Sequence, residues 1–300
     1  MKVVHLNNCP VCGSSKIETF LRGKDFFSSE KEFEVVQCKS CGFKFTKDFP
    51  NEANISSYYD SPEYISHSDT HKGFVNSMYH WVRSFMLNKK TTLVNSFSST
   101  KGVLMDIGCG TGYFAGRMKQ NGWDVLAIEK NPKAREFVKA TWGLNPEDSE
   151  LLYKISEKKI DVITLWHVLE HIEQLNETMK QMHAVLKDDG KLIIALPNSD
   201  SYDARVYKKY WAAYDLPRHL WHFSPSTFNY LAEQHGFQII KTVRMPFDGF
   251  YIALLSEKYI NRRCGKLIAF FHGFIGWLKS LSDAKNTSSL IYILKKKTEQ

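Results

Sequence analysis

The chain has 300 residues, of which 43% are hydrophobic and 14% aromatic, enough for one main domain with a sizeable core and a smaller module beside it. Its net charge of +8 suits an anionic partner, such as nucleic acid, a nucleotide-linked substrate or an acidic lipid surface, and equally a mildly basic enzyme without one. The first residues lack the apolar run of a secretory signal, and the longest apolar stretch, 267–281, is too short for a spanning helix. We therefore expect a cytoplasmic protein, with peripheral membrane contact left open.

Four cysteines near the N-terminus form two matched pairs. Cys9 and Cys12 share one Cys-x-x-Cys-Gly turn, and Cys38 and Cys41 share another of the same form. Each turn places two thiolates side by side, and two such turns supply the four sulfur ligands of a tetrahedral zinc site. A redox role is disfavoured because one pair would suffice for it. The pattern predicts a structural Zn²⁺ in a ribbon over residues 1–48, a module too small to fold without its metal.

Residues 49–100 are predicted to form a helical lid or linker. Aromatic and apolar residues recur at helical spacing in its second half, which is typical of a packed helix. Tyr58, Tyr59 and Tyr64 lie in a stretch interrupted by Ser, Asn and Pro, a composition that suits a lid better than a core.

A glycine-rich turn opens the next part of the chain. The run DIGCGTG at 106–112 leads from an apolar strand into a helix predicted over 113–121. The next strand, 125–129, ends in an acid about 20 residues downstream, where a carboxylate can accept both hydroxyls of a ribose. A strand over 160–166, a helix over 167–186 and a strand over 191–196 are predicted to follow. This alternation indicates a parallel sheet covered by helices.

The segments DIGCGTGYF, AIEKNP, DVITLWHVLEHI and LKDDGKLIIALPN resemble, in order and spacing, the successive motifs of class I S-adenosylmethionine-dependent methyltransferases. The resemblance covers residues 101–297 and differs from the NAD-binding GxGxxG pattern at the third glycine. It implies an α/β fold with a doubly wound, seven-stranded, Rossmann-like sheet over residues 101–300. A helical insertion at about 245–289 is expected before the last strand.

The resemblance also implies which residues hold S-adenosylmethionine. Asp106 and the backbone of the glycine-rich turn would contact the methionine part, Glu129 the ribose, and Trp166 with His167 the adenine or the methyl-transfer site. The acid that contacts the adenine amino group is expected within 145–148. The predicted cofactor-binding residues are Asp106, Gly108, Cys109, Gly110, Gly112, Tyr113, Phe114, Glu129, Lys130, Trp166 and His167.

The run after the predicted strand 160–166 has the form HxxEH. His167, Glu170 and His171 would share one face of a helix and could hold a divalent ion, and ubiquinone-pathway methyltransferases are similar here. The alternative, which we prefer, is that Glu170 and His171 cap and line the cofactor pocket.

The run DLPRHLWHFS at 215–224 resembles a segment that lies above the cofactor's methyl group in many bacterial methyltransferases. Methyl transfer from a sulfonium is an in-line displacement, and a hydroxyl acceptor must also lose its proton to a base. The predicted catalytic candidates are His219, His222 and His171. We prefer His219 to His222, because one of these two can instead serve as a structural residue beneath the helix cap at Ser224.

Near the C-terminus, residues 238–244 and 290–295 are predicted to form the last antiparallel strand pair. In the long insertion between them, Leu267, Phe271, Phe274, Leu278 and Leu281 share one helical face close to several Lys and Arg residues. Packing as a lid or in the core, a dimer face and an interfacial helix on an anionic membrane remain alternatives.

Together these features predict methyl transfer to a small-molecule acceptor, which could be anionic or contain a sugar. Resemblance to ribbon-bearing bacterial methyltransferases of glycans favours a hydroxyl of a sugar, nucleotide-sugar or glycan precursor. The resemblance to sugar C-methyltransferases stops before their additional C-terminal domain, so O-methylation is preferred to C-methylation. An rRNA methyltransferase and a non-catalytic, cofactor-binding interaction module are the alternatives.

Overall fold

The computed structural model describes residues 2–59, 74–97 and 101–297, so Tyr64, predicted for a lid, lies outside the described residues. The strands are β1 (Val3–His5), β2 (Ile17–Lys24), β3 (Glu32–Cys38), β4 (Lys44–Thr46), β5 (Asp48–Pro50), β6 (Val103–Ile107), β7 (Asp124–Ile128), β8 (Ile160–Trp166), β9 (Leu186–Pro197), β10 (Trp221–His222), β11 (Phe237–Arg244) and β12 (Ser289–Lys296). The helices are α1 (Glu52–Ile55), α2 (Phe74–Asn95), α3 (Tyr113–Gln120), α4 (Pro132–Trp142), α5 (Leu175–Val185), α6 (Tyr202–Tyr207), α7 (Pro225–Gln234), α8 (Asp248–Ile260) and α9 (Gly265–Ser282).

The largest sheet has the strand order β7-β6-β8-β9-β12-β11. The first four strands are parallel, and β12 is antiparallel to both of its neighbours. In β9 the adjacent residues Ile193 and Ile194, which point to opposite faces, are both fully buried. A central strand buried on both sides indicates helices on both faces, so the predicted Rossmann-like α/β fold and the last antiparallel strand pair are confirmed.

The predicted seven strands are wrong, since this sheet has six in the described chain. Beyond β7 the chain makes only an isolated bridge between Ile128 and Glu147. Glu147 donates its N–H to the carbonyl of Ala127 and accepts the N–H of Glu129, each at 2.9 Å. The seventh strand is therefore reduced to the single residue Glu147. This residue also belongs to the segment expected to contact adenine.

The predicted helix over 167–186 is also wrong. His167 has a positive φ of 59°, a left-handed conformation that cannot continue a right-handed helix. A single 3₁₀ turn follows over Leu169–His171, and α5 begins only at Leu175. The HxxEH residues therefore do not share an α-helical face. The helical segment expected over 49–100 is divided in the described residues between the short α1 and the 22-residue α2.

The N-terminal module is built from short antiparallel strands around the cysteine turns. β1 pairs with β5, and β2, β3 and β4 form a second sheet. The N–H of Gly13 returns to the carbonyl of Cys9 and that of Gly42 to Cys38, each at 2.9 Å. Both glycines have left-handed φ angles, of 72° and 77°, which explains the glycine after each cysteine pair.

This module shares its core with the main domain. β10, from the DLPRHLWHFS run, pairs with β4, so that Trp221 lies opposite Phe45. Phe43 stacks beside Phe45 and contacts the ring of Phe223, all three side chains being buried. Because β10 completes the ribbon sheet, the position of the run that carries the predicted catalytic histidines depends on the ribbon.

The insertion between β11 and β12 consists of α8 and α9, which pack against each other. Among the described residues, none of the helices combines the length and apolar character needed to cross a bilayer.

Candidate functional site

The glycine-rich turn after β6 is folded tightly against its neighbours. Gly108 and Gly112 have positive φ angles of 68° and 73°. A Cβ atom at Gly108 would lie 2.6 Å from the side chain of Val168, and one at Gly112 would lie 2.7 Å from that of Val138. The N–H of Gly108 donates to the carbonyl of Ile128 at 2.8 Å. These contacts hold the turn at the carboxyl ends of β6 and β7, where ligands bind in open α/β sheets.

Two predicted acids lie at these strand ends. Asp106 is buried, accepts a hydrogen bond from the Thr164 hydroxyl at 2.7 Å, and has its pKa raised by burial to about 7. Glu129 accepts the backbone N–H groups of Gly110 and Asn131, each at 2.8 Å. Glu129 thus ties the turn to the end of β7. Each of its carboxylate oxygens retains a lone pair with which ribose hydroxyls could be bound.

The other predicted cofactor residues around the turn divide into two groups. The ring of Tyr113 packs edge-on against a tryptophan of α4 at 5.4 Å, and Phe114 packs likewise against Trp166 at 5.1 Å. Cys109 is half-buried in the turn itself. Lys130, by contrast, forms an exposed ion pair of 2.8 Å with a glutamate of α1. The aromatic residues pack against rings of neighbouring elements, whereas Lys130 is directed to the ion pair.

Lys90 of α2 is a site residue that the sequence analysis missed. Its ammonium lies 4.4 Å from the centroid of the Trp166 ring. Burial lowers the pKa of Lys90, while the charges of Asp248 and Asp106 act in the opposite direction. The sequence around Lys90, a polar NKK run, does not indicate that this lysine lies next to Trp166. Its side chain lies within electrostatic reach of Asp106, the predicted methionine-binding acid.

His167 forms a charged bridge between two carboxylates. Its Nδ1 lies 3.4 Å from Oε1 of Glu170, and its Nε2 lies 3.5 Å from Oδ2 of Asp248. Burial opposes the charging of His167, but the carboxylates of Asp248 and Glu170 raise its pKa to about 9. Burial alone would raise the pKa of Glu170, yet His167, with the other nearby imidazoles, holds it below its ordinary value. At neutral pH, therefore, an imidazolium faces a carboxylate here.

Two further histidines, His171 and His219, pack edge to face near His167 and Glu170. The rings of His171 and His219 lie 4.5 Å apart between centroids. Nδ1 of His171 lies 3.0 Å from the carbonyl oxygen of Arg218 and 3.0 Å from the hydroxyl of Tyr59, and Nδ1 of His219 lies 2.8 Å from the carbonyl of Ala213. Because a carbonyl can only accept, each Nδ1 carries the proton of the neutral ring. Each Nε2 is then left with a lone pair.

Glu170, His171 and His219 form one cluster, in which one ligand-capable atom of each lies within 4.8 Å of the others. The Glu170 carboxylate has no hydrogen-bond partner in the described parts of the chain. Burial, followed by the charge of His219, lowers the pKa of His171 to about 4. Three acceptors without a donor between them could accept a proton or ligate a divalent ion. The side chain of His219 is 12% exposed, whereas that of Glu170 is fully buried.

His222 has a different environment from His219. It is buried in β10, its Nε2 lies 3.2 Å from the Thr46 hydroxyl, and its ring contacts that of Tyr214. Burial lowers the pKa of His222 well below its ordinary value. These contacts suit a structural residue of the ribbon sheet rather than a group that meets substrate.

The segment preceding His219 is fixed by a buried ion pair. The guanidinium of Arg218 lies 2.6 Å from one oxygen of Asp215 and 3.2 Å from one of Asp25, in the ribbon. The Thr46 hydroxyl also donates to the carbonyl of His219 at 2.9 Å. Residues of the ribbon thus position the backbone of His219, the predicted base.

Replacing Arg218 with methionine should lower the free energy of unfolding by about 3–5 kcal/mol, because it leaves the fully buried carboxylate of Asp25 without its cation. Urea unfolding followed by circular dichroism measures this. As a control, Arg22→Met removes an arginine that is 71% exposed in its ion pair with Glu34, and should cost under about 1 kcal/mol. Equal losses in the two variants would contradict the assigned role of Arg218.

The four ribbon cysteines converge on one point. Sγ of Cys9 lies 3.6 Å from that of Cys41, and Sγ of Cys12 lies 3.5 Å from that of Cys38. All four sulfurs lie within 4.8 Å of one another. A zinc ion with bonds of about 2.3 Å requires tetrahedral edges of about 3.8 Å, so these residues fit the ion. The separations are too long for disulfide bonds.

Comparison with known proteins agrees with this architecture. A family model described as a methyltransferase domain matches residues 78–242, which is more than half of the chain. The chain belongs to this methyltransferase-domain family. The mitochondrial ubiquinone biosynthesis O-methyltransferase of Schizosaccharomyces pombe is 31% identical over 109 residues, which are 34% of this chain and 39% of that protein. The match therefore spans about two fifths of that relative.

Two solved structures of methyltransferases share the fold. Magnesium protoporphyrin IX methyltransferase of Synechocystis PCC 6803 superposes with a TM-score of 0.54 at 14% identity, covering 82% of this chain and 100% of that one. The 1,6-didemethyltoxoflavin-N1-methyltransferase of Burkholderia thailandensis has a TM-score of 0.52 at 12% identity, covering 92% and 100%. At such identities the likeness concerns the fold alone. The fold is that of S-adenosylmethionine-dependent methyltransferases.

Binding of S-adenosylmethionine at pH 6.5 should release on the order of half a proton per chain. The Asp106 carboxyl, with its pKa raised to about 7, is largely protonated at this pH, and a cationic ligand beside it favours the ionised form. Affinity should therefore fall as the pH falls through 7. Titration calorimetry in two buffers of different ionisation enthalpy measures the release. Asp106→Asn should abolish it, and equal release by this variant would show that another group titrates.

Proposed function

We propose that this methyltransferase transfers the methyl group of S-adenosylmethionine to a hydroxyl of a small-molecule acceptor. The observation that carries the proposal is the pair of imidazoles of His171 and His219, which lie in one cluster with the Glu170 carboxylate and whose Nδ1 atoms each face a backbone carbonyl. An alcohol or phenol must lose a proton as it attacks, whereas a neutral amine need not lose one first. The name of the S. pombe relative, an O-methyltransferase, supports the same acceptor atom.

Bound S-adenosylmethionine supplies an electrophilic methyl group whose leaving group is a neutral thioether. We assign Asp106 and the glycine-rich turn to its methionine part and Glu129 to its ribose. His219 accepts the hydroxyl proton at Nε2 as the new oxygen–carbon bond forms and the carbon–sulfur bond breaks. Glu170 stabilises the resulting imidazolium, and the Ala213 carbonyl keeps the ring in the required tautomer.

A proton-accepting role suits the cluster better than a divalent cation does. The charge of Glu170 is already balanced by the His167 imidazolium at 3.4 Å, and a divalent cation would add two positive charges beside it where proton transfer to His219 adds one. We therefore expect activity to persist in EDTA at concentrations that spare the ribbon. Loss of activity that Mg²⁺ restores and Zn²⁺ does not would assign the cluster to a metal.

The sugar, nucleotide-sugar or glycan acceptor expected from the sequence gains no support from the relatives, whose names include none of these compounds. We retain the hydroxyl as the acceptor group and propose the ribbon cysteines as ligands of a structural Zn²⁺. The four thiolates leave no open coordination position, so this ion would take no part in the chemistry.

The experiment is transfer of a labelled methyl group from S-adenosylmethionine to three separate acceptor pools: phenols, nucleotide-linked and free sugars, and ribosomal RNA. The proposal is supported if the labelled methyl group is found on a hydroxyl of the acceptor as an ether, which resists hydrolysis by base. Label in RNA would instead establish the rRNA methyltransferase. Tight cofactor binding with no label in any pool, or in a fractionated cell extract, would leave a non-catalytic binding module.

A further inference from the structure

Helix α9 presents a continuous apolar face to solvent. Six large side chains on it are between 42% and 74% exposed, and they recur three or four residues apart along one side of the helix: Leu267, Phe270, Phe271, Phe274, Leu278 and Leu281. Tyr251 and Leu254 of the neighbouring α8 are also exposed. An exposed apolar surface of this extent on a water-facing helix marks an interaction site.

The opposite side of α9 is fixed by close packing on α8. Ala269, Gly273 and Ser280 are buried there. A Cβ atom at Gly273 would lie 2.5 Å from the ring of Phe250, so the two helices approach each other at the distance that glycine allows. The apolar face therefore points outward because of the packing of the insertion. Core packing, one of the alternatives from the sequence, does not describe these six side chains.

The charged side chains of α9 itself are positive. Residues 265–282 contain no acidic residue, while Lys266 and Lys279 are exposed on the helix. Arg263 is exposed in the turn that leads into it. An apolar face bordered by lysine and arginine is complementary to an anionic lipid surface, with acyl chains below the helix and phosphates beside it.

We propose that α9 is an interfacial helix that docks this methyltransferase on a bilayer containing anionic phospholipid. Its leucine and phenylalanine side chains enter the boundary between headgroups and acyl chains, and Arg263, Lys266 and Lys279 contact lipid phosphates. A second copy of the chain fits this face less well. A two-fold contact would bring the same cationic residues of both copies together, with no acidic side chain of α9 to neutralise them.

Flotation of the full chain with two kinds of vesicle tests the proposal: phosphatidylcholine with 30% phosphatidylglycerol, and phosphatidylcholine alone. We expect the protein to float with the anionic vesicles, and binding to fall at least about tenfold on neutral vesicles or in high salt. Leu267→Glu/Phe271→Glu should reduce binding by a similar factor, and Lys266→Glu/Arg263→Glu should reduce it on anionic vesicles only. All four side chains are exposed, so these variants should keep the wild-type melting temperature.

The matched control is Phe20→Glu/Tyr230→Glu, which makes the same charge change at two aromatic residues exposed elsewhere on the surface. It should float like the wild type. If this control and the α9 variant lost binding to anionic vesicles equally, the loss would be explained by net charge alone, and the proposal would be overturned. The proposal would also be overturned if the wild-type protein did not float with anionic vesicles. That holds equally if sedimentation velocity then showed a dimer that the Leu267→Glu/Phe271→Glu variant dissociates.

Discussion

The variant His219→Asn should lose at least about 10²-fold in kcat while its affinity for S-adenosylmethionine stays within about twofold of wild type. Asparagine can still donate to the Ala213 carbonyl, which holds Nδ1 of His219 at 2.8 Å, but it cannot accept a proton at neutral pH. Single-turnover transfer of a labelled methyl group measures the chemical step, and titration calorimetry measures cofactor binding. Loss of the first without the second separates proton removal from binding.

His235→Asn is the matched control for this variant. His235 is a half-buried histidine that hydrogen-bonds to Asn176, away from the cluster, so its replacement should leave kcat unchanged. His222→Asn should instead lower the melting temperature, because it disturbs the buried contact with Thr46. An unchanged kcat in His219→Asn would remove His219 from the mechanism. A tenfold weaker affinity for the cofactor would make it a binding residue.

The cofactor turn could be predicted from sequence because its determinants are local. The strands β6 and β7, with the tight turn and the helix between them, bring Asp106, Gly108 and Glu129 together within some 25 residues. The motif order predicts seven strands, but it does not show whether the segment after α4 pairs with β7 over more than one residue. His167 shows the limit of such patterns, since its left-handed backbone divides a run whose residue types suit a helix.

The histidine cluster could not be predicted from local sequence. His171 and His219 are 48 positions apart, and the second reaches the first because β10 is paired with the ribbon. The same pairing buries His222, although His222 lies only three residues after His219 in the sequence. For α9, helical spacing predicted which residues share a face, but spacing does not say what covers that face. Both cases depend on contacts between distant segments.

Replacing Cys38 with serine should cost several kcal/mol of stability, lower the melting temperature on the order of 10 °C, and reduce methyl transfer strongly. Under the proposal of a structural Zn²⁺, serine would not replace the thiolate ligand, so the four-cysteine site would release the ion and the turn that leads from β3 to β4 would loosen. β4 carries Thr46, whose hydroxyl and N–H hold the carbonyls of His219 and Leu220, each at 2.9 Å. Loosening of the ribbon should therefore displace the base as well as lower the stability.

Zinc content, melting temperature and activity should fall together in Cys38→Ser. Cys264→Ser is the matched control, since Cys264 is an exposed cysteine outside the cluster, and it should retain one zinc ion per chain with unchanged activity. Wild-type protein stripped with a strong chelator should reproduce the variant, and added Zn²⁺ should restore the wild type alone. If Cys38→Ser kept its activity at temperatures below its transition, the ribbon would stabilise the fold without positioning His219. If it kept its zinc, the four-cysteine site itself would be wrong.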